Sequence, residues 1–135
     1  YSEQLALEAG LATDPYDEIG ILQSELFRAV RLVVDTGIHY KKWTREEAMN
    51  YMKEKTGMSD TEVRSEIERY IVWPAQALSY KVGMLKVLEL RQLAMDALGN
   101  DFDYKEFHSI LLDNGEPPLF ILEKLVKNWI ALKQS

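Results

Sequence analysis

A chain of 135 residues with 47% apolar and 28% charged side chains has enough hydrophobic material for one domain with its own core. Its net charge of −6, with no basic cluster to offset it, excludes the electrostatic footprint of a nucleic-acid binder. The lack of cysteine excludes disulfides and thiolate metal sites, and no apolar run approaches the roughly 18 residues of a membrane span, because Arg31 and Asp35 interrupt the best candidate.

The chain opens YSEQLALEAG, already in helical register, and Leu5 and Ala9 continue an amphipathic pattern that starts earlier. It therefore reads as a piece of a longer protein. Residues 1–9 form the end of a helix closed by Gly10. LATDPYDE breaks the chain, with Asp14 as N-cap and Pro15 at the first position of a helix that runs to His39, Gly37 lying near its end. At 100° per residue, Glu25, Arg28, Arg31, Asp35 and His39 share an arc of roughly 120° on this helix. Most of the remaining surface is apolar, including Phe27, Val30, Val33, Val34 and Ile38, which places the helix inside a bundle. The polar stripe has two readings. It is a solvent-facing stripe with an Arg31–Asp35 i,i+4 pair, or it lines a cleft in which Arg31 and Asp35 orient His39.

Thr44 to Glu47 is a capping box that opens a helix to about Lys55, ended by Gly57; Ser59 to Glu62 is a second box, for a helix to about Ile71. Trp73-Pro74 forces a corner, with Pro74 expected as the first residue of a long helix to Leu98, stopped by Gly99. Asp103 with Glu106 caps a helix to about Leu112, which Asn114-Gly115 terminates. Pro117-Pro118 then leads into LFILEKLVKNWIALK, with an amphipathic stripe of Leu119, Leu122, Leu125, Val126 and Ile130. No period-2 alternation, repeat or low-complexity segment occurs. Seven helical segments with short connections predict an all-α multi-helix bundle, a single all-helical domain over 1–135.

Few residues carry chemistry by pattern alone. Gln76, Tyr80 and Gly83 share a helix face; Gly83 there costs roughly 1 kcal/mol against alanine, which asks for close approach of another backbone. Gln76 and Tyr80 either point polar tips into a cavity or Tyr80 is a core aromatic with a partner for its hydroxyl. Of the two histidines, His39 sits four residues after Asp35, a spacing open to two metal ligands, whereas His108 reads as a packing residue. A catalytic zinc takes three protein ligands and no HExxH motif is present, so neither a metal site nor another cofactor is expected in this chain. There is no phosphate-binding glycine loop and no nucleophile elbow.

Taken together, YSEQLALEAG, FRAVRLVVDTGIHYKKW, RYIVWPAQALSYKVG and FDYKEFHSILLDNGEPPL resemble the C-terminal part of a bacterial family catalogued as domain of unknown function 885. That family is itself similar to zinc metallopeptidases of the helical gluzincin type. The four blocks cover nearly all of the chain. The resemblance implies an upstream helix with a HExxPGH-type zinc motif and a later helix reading EGWALYSE, of which this chain holds only Tyr1-Ser2-Glu3. The zinc motif and the third ligand then lie outside the chain, zinc is expected in the full-length parent, and this piece alone is expected to be inactive. Glu3, two turns beyond the ligand, is implied as a brace for the metal's surroundings.

For the chain itself the resemblance implies one wall of the substrate cleft. Tyr80 or Tyr70 would donate a hydrogen bond to the developing oxyanion with His39 assisting. Arg31 and Gln76 would bind substrate, Arg31 by holding a carboxylate or else bracing the helix through Asp35. The polar stripe and the Gln76–Tyr80–Gly83 face are expected to look into the same cleft. The implied partners are the N-terminal half of the parent and a peptide substrate. An exposed apolar surface around Tyr1, Leu5 and the helix from Tyr80 to Leu90 is expected where that half packs, with self-association as its consequence. The alternative is an autonomous helical interaction domain that offers the apolar face of residues 119–133 to a protein partner.

Overall fold

A computed structural model describes residues 1–135 and is helical throughout: α1 (Ser2–Glu8), α2 (Pro15–His39), α3 (Arg45–Thr56), α4 (Asp60–Val72), α5 (Gln76–Leu98), α6 (Tyr104–Leu112) and α7 (Leu119–Lys133), with a 3-10 turn at Gly99–Asp101 and no strands. The expected all-α multi-helix architecture is what the chain adopts. Its helix starts follow from local chemistry. Asp14 accepts from the Tyr16 N–H ahead of Pro15, and Thr44 and Ser59 each form a complete capping box with Glu47 and Glu62. These bonds satisfy N–H groups that have no intrahelical partner. Gly57 takes the left-handed conformation that ends α3, at φ 69°.

The corner between α4 and α5 departs from expectation. Pro74 does not begin the next helix: Ala75 follows it at φ 68°, and α5 starts at Gln76. The cause lies on α2, where both carboxylate oxygens of Asp35 accept from the Ala75 N–H at 3.1 and 3.3 Å. That bond holds a non-glycine residue in a region it seldom occupies.

The helices pack as two compact units, Tyr1–Val82 and Gly83–Ser135. In the first, α2 is the spine against which α1, α3 and α4 pack. Its core holds Val30 and Val34 of α2, Ala48 and Met52 of α3, Val63, Ile67 and Tyr70 of α4 and Ala77 of α5. Each large apolar side chain removed from water here contributes roughly 1.5–3 kcal/mol. Trp43 folds back over the end of α2, its backbone N–H bonded to the Gly37 carbonyl at 2.9 Å. A Cβ on Gly37 would lie 2.3 Å from the indole ring, so a side chain here would force the ring to shift.

In the second unit the rings of Phe102, Phe107 and Trp129 cluster at centroid distances of 5.9 to 6.4 Å. Glu106 accepts from Trp129 Nε1 and Lys133 Nζ at 3.0 and 2.8 Å, tying α6 to α7, and Lys86 meets Glu123 at 2.8 Å, tying α5 to α7. His108 packs beside Tyr104 and Phe107, as expected. One expectation fails: nothing lies within 4 Å of a Cβ built on Gly83, so no backbone approaches it. Leu122, Val126 and Ile130 of the expected α7 stripe are buried, whereas Leu119, Phe120 and Leu132 are exposed. No helix is long and apolar enough to cross a membrane.

Candidate functional site

The five polar residues of α2 each reach another element of the first unit. Glu25 accepts from Lys81 Nζ at 2.5 Å. Arg28 donates twice to Glu3, at 2.9 and 3.2 Å, and so fastens α1. Arg31 Nη2 donates to Gln76 Oε1 at 3.3 Å, Asp35 holds the Ala75 N–H, and His39 Nε2 lies 2.9 Å from the Tyr70 carbonyl oxygen. The stripe is therefore not a solvated face, since Arg31 and Asp35 are only 6% and 3% exposed.

Nor is it the relay the spacing suggested. Arg31 and Asp35 form no ion pair, and no hydrogen bond joins Asp35 to His39, because a docked element offers each a partner aimed at it from across the helix interface. A carbonyl can only accept, so it is Tyr70, and not Asp35, that sets the His39 tautomer: Nε2 carries the proton and Nδ1 is bare in the neutral ring.

Around Arg31 the helices build an aromatic cage. Its guanidinium carbon lies 4.5 Å from the Tyr80 ring centroid and 5.5 Å from those of Phe27 and Tyr70. Each such contact is worth about 0.5–2 kcal/mol, whereas withdrawing a cation from water costs several kcal/mol, so the cage offsets burial only in part. The Arg31 Nε is buried without a hydrogen-bond partner.

Gln76 Oε1 also accepts from Arg69 Nη1 at 2.8 Å, so two guanidiniums meet on one amide oxygen. Arg69 Nη2 continues to Glu66 at 2.6 Å, and the Tyr70 hydroxyl donates to the same Glu66 oxygen at 2.5 Å. Burial alone would raise the Glu66 carboxyl, but hydrogen bonds from Arg69 and Tyr70, helped by the Arg69 and Arg31 charges, hold it below the ordinary range. Burial and the Glu66 acceptor push the Tyr70 hydroxyl well above its ordinary value.

Of the residues expected to carry chemistry, Arg31, Asp35, Gln76, Tyr80 and Tyr70 gather at this one place. Tyr80 is 50% exposed, and its oxygen accepts from Gln76 Nε2 at 3.3 Å, leaving the O–H proton free to donate. Tyr70 is 1% exposed with its proton committed to Glu66, so of the two tyrosines only Tyr80 keeps a hydroxyl proton free to donate. His39, half-buried, stands about 12 Å along α2 from Arg31 by helical rise. Glu3 braces α1 through Arg28. Glu66 and Arg69 escaped the sequence reading; their signal was the Glu66–Arg69–Tyr70 spacing of i, i+3 and i+4 on α4. No three His, Cys, Asp or Glu side chains gather to hold an ion, so the chain's own residues do not fit a zinc centre.

Comparison with known proteins bears on what this site belongs to. A crystal structure described as "the putative lipoprotein from Colwellia psychrerythraea" matches 98% of this chain at 54% identity and a TM-score of 0.96; the chain spans 23% of that protein's length. No curated protein matches. Residues 1–126 match the family described as bacterial protein of unknown function (DUF885). With nearly the whole chain inside that match, it belongs to the DUF885 family.

Proposed function

We propose that this chain is the C-terminal helical portion of a zinc-dependent metallopeptidase and forms one wall of its substrate cleft, without hydrolytic activity alone. The observation that carries the reading is Tyr80: a half-exposed side chain whose hydroxyl keeps a free proton, beside a buried guanidinium. Such a donor suits an oxygen on which negative charge develops. Gln76 and Arg31 lie next to it to bind and orient the peptide, and His39 stands at the far end of the same helix face. Asp35 acts from behind, fixing the Ala75 corner from which Gln76 and Tyr80 project.

Support for a larger parent comes from the 54% identical relative, of which this chain spans 23%. Zinc, when bound in that parent, polarises the scissile carbonyl and activates water. Its ligands, by resemblance, come from the HExxPGH-type motif and the glutamate preceding Tyr1. The test compares the chain with the polypeptide extended through the upstream reading frame. The extended protein is expected to retain about one zinc and to hydrolyse peptides, and the chain alone to do neither. Stoichiometric zinc on the dialysed chain, or an extended protein with no zinc-dependent hydrolysis, contradicts the reading.

A further inference from the structure

Two guanidiniums converge on a single uncharged oxygen, Gln76 Oε1, which Arg31 and Arg69 approach at 3.3 and 2.8 Å. Arg31 is 6% exposed, pairs with no carboxylate and keeps an Nε without a partner. The Glu66 carboxylate is committed to Arg69 Nη2 and the Tyr70 hydroxyl, and that of Asp35 to the Ala75 N–H. An amide oxygen carries only a fraction of a carboxylate's charge, and a guanidinium fork is matched by two anionic oxygens, not by one neutral one. The protein has thus assembled the donors of an anion site and filled it with a weak acceptor.

We propose that Arg31 and Arg69 form a carboxylate-binding site that Gln76 occupies in the free protein: an incoming carboxylate displaces the Gln76 amide and accepts from both guanidiniums. Tyr80 is the movable side of the site. It is the exposed ring of the cage, whereas Tyr70 is buried, and it is tied to Gln76 one helical turn away through a 3.3 Å bond. Tyr80 and Gln76 can therefore swing aside together by side-chain rotation on α5. The inference rests on reading this face as a substrate wall and gives that wall a preference for peptides that bring a free carboxylate, from a C-terminus or an acidic side chain.

The test needs neither metal nor hydrolysis, so its failure and that of the peptidase reading are distinct. The Arg31 Nε–H resonance of the 15N-labelled chain is followed while acetate is added at constant ionic strength, with chloride as the control anion. N-acetyl-dialanine, its C-terminal amide and N-acetyl-aspartate amide are then compared. Acetate is expected to shift the resonance saturably and chloride not. A response to the free acid alone assigns a C-terminus, and a response to the aspartate compound assigns a side chain. Gln76→Glu, which places a carboxylate within the chain at the same spot, is expected to weaken acetate binding at least tenfold and to raise the melting temperature. No saturable shift with acetate, or a Gln76→Glu variant that binds acetate like the parent chain, overturns the site.

Discussion

Glu66 shows how one carboxylate can organise a buried polar cluster. It accepts hydrogen bonds from Arg69 and the Tyr70 hydroxyl, while the Gln76 oxygen accepts from both Arg31 and Arg69. A carboxyl held below its unfolded value contributes stability that is present above that value and lost as pH falls through the lowered, folded one. The Glu66 contribution is thus whole above its ordinary 4.5 and disappears on acidification below it. Glu66→Gln is expected to lose about 1–3 kcal/mol at neutral pH through orphaned partners. Its melting temperature should also fall less steeply on acidification than that of the parent chain. Melts taken from neutral to acid pH check this; parallel curves would remove Glu66 from the acid limb. Asp35 acts on the backbone. Asp35→Ala leaves the Ala75 N–H without an acceptor and is expected to cost about 1–3 kcal/mol in chemical denaturation.

Two glycines inside helices show what an element conceals until it is packed. Gly37 and Gly83 carry the same intrinsic helix penalty, about 1 kcal/mol relative to alanine. They differ in their surroundings: the Trp43 ring fills the space over Gly37, and the space over Gly83 is open. Gly83→Ala is expected to stabilise by about 0.5–1 kcal/mol. Gly37→Ala is expected to destabilise by about 1–3 kcal/mol, overpacking outweighing the propensity gain. Urea midpoints of opposite sign check the pair. The helix starts were legible in sequence because caps act over three or four residues, as Asp14, Thr44 and Ser59 do. The start of α5 was not, because Ala75 obeys a carboxylate 40 residues away. Trp43 likewise reaches Gly37 only through a turn in which Lys42 takes φ 61°.

For the molecule as a whole, the polar stripe of α2 was legible as a set of residues but not as a set of bonds. Helical periodicity placed Arg31, Asp35 and His39 on one face; the partners Gln76, Ala75 and Tyr70 come from other helices, which periodicity within α2 does not report. The apolar surface shows the same limit. Tyr80, Val82 and Leu85 are exposed as expected, but Leu90 is buried and Tyr1 and Leu5 are half-buried, while Ile19, Leu22, Leu26 and Val33 line up uncovered along α2. Such a stripe favours association. Sedimentation velocity is expected to show the chain alone self-associating with concentration, and Leu22→Lys with Leu26→Lys to shift it towards monomer. A parent chain that stays monomeric at high concentration would contradict this.

The proposal that this face forms the substrate wall of a peptidase meets its most direct test in the steady-state kinetics of Tyr80→Phe in the full-length protein. Phenylalanine keeps the ring over Arg31 and removes only the hydroxyl, so folding should be untouched. Loss of a donor that acts on the transition state should lower kcat by roughly 100- to 1000-fold with KM changed about twofold or less. A Tyr80→Phe enzyme with undiminished kcat would contradict the account.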